Sequence, residues 1–67
     1  MSQLEKVAWQ TYNYFVWRAD GNSTEARRLF LAWAGEFSDR ISPEAKDSWH
    51  CLVVAIDVCF SEGLRAP

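Results

Sequence analysis

Leu52-Val53-Val54-Ala55-Ile56-Asp57-Val58 is the stretch on which the fold turns. Its β-branched residues suit a strand as readily as a helix. The flanks favour a helix. Ser42-Pro43-Glu44 places a capping serine, then a proline where its missing N–H does no harm, then an acid on the positive end of a helix dipole. Gly63 supplies a residue able to close the helix in the left-handed conformation. These start and stop signals lie some 20 residues apart, too far for a strand. A lone strand would also find no pairing partner in this chain.

Towards the amino terminus the same punctuation recurs. Asp20-Gly21-Asn22 is turn chemistry, and Asn22 with Glu25, or Ser23 alone, can cap the segment that follows it. Ser2 and Glu5 have the spacing of a capping box. The expected fold is all-α: one domain, residues 1–67, of three short antiparallel helices at about 2–20, 23–39 and 43–62.

Plotting each helix at about 100° per residue gives its faces. In the second, Ala26, Leu29, Phe30, Trp33 and Phe37 share one side, opposite Glu25, Arg28, Glu36 and Asp39. In the first, Leu4, Val7, Ala8 and Phe15 form a stripe that Trp9, Tyr12 and Val16 widen past half the circumference. Trp17 falls among Lys6, Gln10 and Asn13, on the wet side. The third is apolar almost all round, with only Lys46, His50, Asp57 and Ser61 as a polar strip. Such a helix belongs in the middle of something, and two neighbours in a small monomer cannot also cover the first helix. A helical bundle completed by homodimerisation would bury both surpluses.

Composition supports this view. Hydrophobic residues make up 49% of 67, including four tryptophans, whereas a chain of this length hides only about 60% of its unfolded surface. With 24% charged residues that apolar content excludes a disordered tail. The net charge of −2 argues against a basic nucleic-acid coat. The longest apolar run, Cys51 to Ile56, falls far short of the roughly 20 residues of a membrane span, and no basic-then-apolar signal opens the chain. A cytoplasmic protein that does not engage membranes is expected.

The sequence offers little for catalysis. His50 and Asp57 stand seven positions apart, about 10 Å along a helix, too far to bond directly. No nucleophile elbow or Gly-rich phosphate loop is present. One histidine and two cysteines without a Cys-x-x-Cys make no zinc site, so neither metal nor cofactor is expected. Cys51 and Cys59 read as two small buried apolar residues. Asp57 among valines belongs either to a solvated strip or to an ion pair with an arginine from another helix or protomer.

What remains is a surface for binding protein. Trp9, Tyr12, Tyr14, Trp17 and Arg18 combine the residue types enriched in interface hot spots. Core or rim packing is the simpler account of Trp9 and Phe15, but no periodicity argument puts Trp17 inside. The expectation is a small non-enzymatic module, homodimeric, of the accessory or inhibitor type known from bacteria and phages, docking on a larger protein. The alternative is a helix-turn-helix-like DNA-binding regulator, with Ser23, Thr24, Arg27 and Arg28 at the start of the second helix as its contacts.

Overall fold

A computed structural model describes residues 2–65. Three helices form: α1 (Gln3–Arg18), α2 (Ser23–Ser38) and α3 (Lys46–Arg65), the last preceded by a single 3-10 turn over Pro43–Ala45. The stretch from Leu52 to Val58 is helical, and no strand occurs among the described residues.

The capping residues act as their chemistry dictates. Ser2 Oγ accepts from the Glu5 N–H at 3.2 Å, and its hydroxyl reaches the Glu5 carboxylate. At the far end of α1, Gly21 N–H donates to Val16 O at 2.9 Å and Asp20 N–H to Trp17 O at 3.1 Å. This is a Schellman closure, with Asp20 (φ 52°) and Gly21 (φ 84°) both left-handed. Asn22 then starts α2, its Oδ1 accepting from the Glu25 N–H at 3.0 Å. A reversal this tight folds α2 back along α1.

The entry to α3 differs from expectation. Ser42 makes no side-chain cap bond; Ala45 N–H donates to Ser42 O instead, and the proline-led turn is 3-10 rather than α. Lys46 compensates at the neighbouring helix, its ammonium donating to Ser38 O at 2.7 Å, where the carbonyls of α2 run out of partners. Gly63 does not close α3, which continues to Arg65. Glycine weakens a helix interior by about 1 kcal/mol but does not forbid helical dihedrals.

Ala8 and Phe15 from α1, Ala26, Phe30 and Ala34 from α2, and Ile56, Cys59 and Phe60 from α3 are the buried core. Three of these eight are alanines, which let the helices approach while the phenylalanines fill the space between. Phe30 stacks on Phe60 at 5.5 Å, and Tyr12 meets Phe60 edge-on at 4.9 Å. The contact of α1 with α3 is the most extensive of the three. The Cα trace measures 39 × 26 × 15 Å, a slab with two broad faces.

Burial corrects two sequence expectations. Leu4 is exposed, because the first turn of α1 overhangs the core. Cys51 is exposed although Cys59 is buried; eight helical positions turn by about 80°, so the two thiols do not share a face. The outer side of α3 is left open by this single chain, as its all-round apolar character implies: Val54 and Val58 remain 47% and 49% exposed there.

Candidate functional site

All ten aromatic side chains join ring to ring. From Phe30 the links pass to Phe60, Tyr12 and Trp9 in one direction, and to Phe15 and Trp33 in the other. Trp33 continues the chain to Phe37 and Trp49, while Phe15 leads through Tyr14 to Trp17. Position in this network separates the five aromatic and basic residues expected on the binding surface. Trp9 and Tyr12 are partly buried and pack against the core. Tyr14, Trp17 and Arg18 stand outside, Trp17 at 72% exposure with its ring 6.4 Å from that of Tyr14.

Tyr14 and Arg18 lie one helical turn apart, and Arg18 donates from a terminal guanidinium nitrogen to the Tyr14 hydroxyl at 2.9 Å. The guanidinium carbon also lies over the Tyr14 ring, 5.8 Å from its centroid, within cation–π range. Neither residue is buried, and Arg18 has no carboxylate partner among the described residues.

These side chains border an open groove of about 660 Å³ between α1 and α2. Phe15, Leu29, Ala32 and Trp33 give it an apolar floor, with Tyr14 and Arg18 on one side and Glu36 on the other. Such a volume lies within the range of ligand-binding clefts. Helical periodicity alone does not reveal the contribution of α2, because Leu29 and Trp33 share one apolar stripe with its core residues Ala26 and Phe30. Rows 26–30–34 and 29–33–37 are neighbours on one helix, yet only the first is enclosed; Leu29 and Trp33 are half-buried beside the groove. The signal available in the sequence was Ala32, a small residue on the turn linking Leu29 to Glu36, where a larger one would fill the recess.

The residues offered for nucleic-acid contact meet a different fate. Ser23, Thr24, Arg27 and Arg28 do share a shallow depression with Leu31. Both arginines are already engaged. Arg27 Nε donates to Asp57 Oδ1 at 3.2 Å, and Arg28 holds Glu25 through two hydrogen bonds. The Arg28 hydrogen bond lowers the Glu25 carboxyl below its usual range, and the same bond raises the guanidinium. Asp57 therefore takes the ion pair that its apolar sequence surroundings left open.

Among the described residues no three His, Cys, Asp or Glu side chains gather as a metal site, and no helix is long and apolar enough to cross a membrane. No protein-family model matches the sequence, and neither a curated protein nor a solved structure is found to be similar to it.

Proposed function

We propose that this chain is a small non-enzymatic protein-binding module, a homodimeric accessory or inhibitor protein of the bacterial or phage type, acting in the cytoplasm on a larger protein. Its working surface is the α1–α2 groove with Tyr14, Trp17 and Arg18 beside it. The observation that carries the reading is Trp17: the most exposed large apolar side chain among the described residues stands beside Tyr14, which lines an open groove with an apolar floor. A solvated indole offers a partner large contact area for little ordering entropy, and Arg18 adds a charged donor at the same edge. The DNA-binding alternative loses weight because Arg27 and Arg28 already neutralise carboxylates of their own chain.

The test is Trp17→Ala, followed by helix content, thermal midpoint and capture of a partner from host lysate. An exposed interface tryptophan gives an unchanged fold with binding weakened by about 2 kcal/mol or more. Collapse of the fold would make Trp17 structural, and undiminished capture would place the docking surface elsewhere.

A further inference from the structure

We propose that the occupant of the α1–α2 groove in the isolated protein is a second copy of this chain, docked about a two-fold axis so that Trp17 of each copy enters the groove of the other. This rests on the reading that the face binds protein, and it names the partner. The first support is shape. The Trp17 indole projects beside Tyr14, which lines the recess, and the Ala32 methyl leaves the apolar floor of the recess unfilled between Leu29 and Glu36. A knob and a hole on the same surface satisfy each other in pairs across a two-fold axis, and both are then used up, which closes the assembly at two copies.

The second support is charge. Arg18 stands at the end of the groove nearer the α1–α2 turn, and Glu36 at the end farther from it. Neither has an oppositely charged partner among the described residues. A two-fold axis crossing the middle of the groove lays the Arg18 end of one copy on the Glu36 end of the other, forming two equivalent ion pairs. The third support is area. A broad face of 39 by 26 Å accommodates the roughly 800 Å² that each partner contributes to a standard interface.

The outer side of α3 is the competing face. It presents Cys51, Val54 and Val58, three small side chains, and the adjacent Asp57 is already neutralised by Arg27. Among the described residues it has neither a large projecting side chain nor unpaired charges of both signs. The homodimer is then the free form of the module: a larger partner that uses Trp17 competes with dimerisation and takes up the single chain.

The experiment is sedimentation velocity on the full chain over a range of concentrations, with far-ultraviolet circular dichroism confirming that each variant folds. Wild type sediments as a dimer. Arg18→Glu alone and Glu36→Arg alone each place like charges at both contacts and sediment as monomers at the same concentration. An equimolar mixture of the two variants restores the dimer, because each contact again joins opposite charges. Ala32→Leu, which fills the recess without touching a charge, weakens dimerisation at least tenfold.

A folded wild-type monomer at all concentrations overturns the proposal. So does a dimer indifferent to all three substitutions, or one that the mixture fails to restore. Loss of lysate capture in Trp17→Ala, combined with a monomeric wild type, leaves the protein-binding surface standing and removes only self-docking. If Trp17→Ala alters neither capture nor dimerisation, both readings fail.

Discussion

Arg27 and Asp57 tie α2 to α3: the guanidinium Nε donates to the aspartate Oδ1 at 3.2 Å, with the two side chains 50% and 44% exposed. This contact reconciles an acid with the run of valines around it, since Asp57 lies at the boundary between the two helices rather than inside the core. Its partial exposure also limits its worth.

Arg27→Ala and Asp57→Asn are each expected to cost less than about 1 kcal/mol, with a coupling of about 0.2–1 kcal/mol in a double-mutant cycle. High salt should reduce that coupling further. Chemical denaturation of the four proteins measures it, and a coupling well above 2 kcal/mol would show that the pair is shielded from water.

Phe30 bridges all three helices, fully buried among Phe15, Phe60 and Trp33. Phe30→Ala should cost about 3–5 kcal/mol. A domain of this length has roughly 3–10 kcal/mol in total, so the variant should be largely or wholly unfolded near room temperature. Ile56→Val, removing one buried methylene, should cost only about 0.5–1.5 kcal/mol. Thermal melts followed by circular dichroism separate the two, and a robust Phe30→Ala protein would contradict the packing described.

Two glycines should respond to alanine in opposite directions. Gly21 holds φ at 84° in the turn with open space around it, so Gly21→Ala meets no clash and still costs about 1–2 kcal/mol in backbone strain. Gly35 lies in the exposed interior of α2 with nothing near the added methyl, and Gly35→Ala should gain up to about 1 kcal/mol. Denaturation midpoints of the two variants should therefore move to either side of the wild-type value.

The cysteines should differ in reactivity. Burial pushes the Cys59 thiol up, and the negative charge of Glu62 adds to the effect. The folded chain thus holds its thiol proton to higher pH than the unfolded chain does. The stability linked to this group is full below the unfolded thiol value of about 8.5 and is lost as pH rises through the folded value. Iodoacetamide at neutral pH should modify exposed Cys51 first and reach Cys59 only on unfolding. Peptide mapping by mass spectrometry reads both sites, and equal labelling would contradict the burial of Cys59.

Local chemistry was the most legible part of the sequence. Ser2, Asn22 and Asp20-Gly21 act through bonds within a few residues, so spacing alone locates the start of α1 and the turn into α2. The approach to α3 was harder, because Pro43 permits a 3-10 turn as well as an α-helical start. Periodicity placed Trp17 in water, since no neighbouring helix competes for that side of α1. It did not reveal that Leu29 and Trp33 line a groove: an apolar side chain on the edge of a stripe is enclosed or open according to where another helix stops. The same holds for Cys51, whose exposure depends on how far α1 and α2 reach around α3.

Tyr12 and Phe60 meet across 48 positions of the 67-residue chain, and their helices share the largest of the three contacts. The principal packing therefore forms only after a long loop has closed, whose entropy must be met before the contact forms. An α1–α2 hairpin lacks Phe60 and Ile56, the side chains that would cover its inner surface, so it cannot persist as an independent foldon. Amide hydrogens at the centres of α1 and α3 should consequently exchange through the same opening event, with protection rising and falling together.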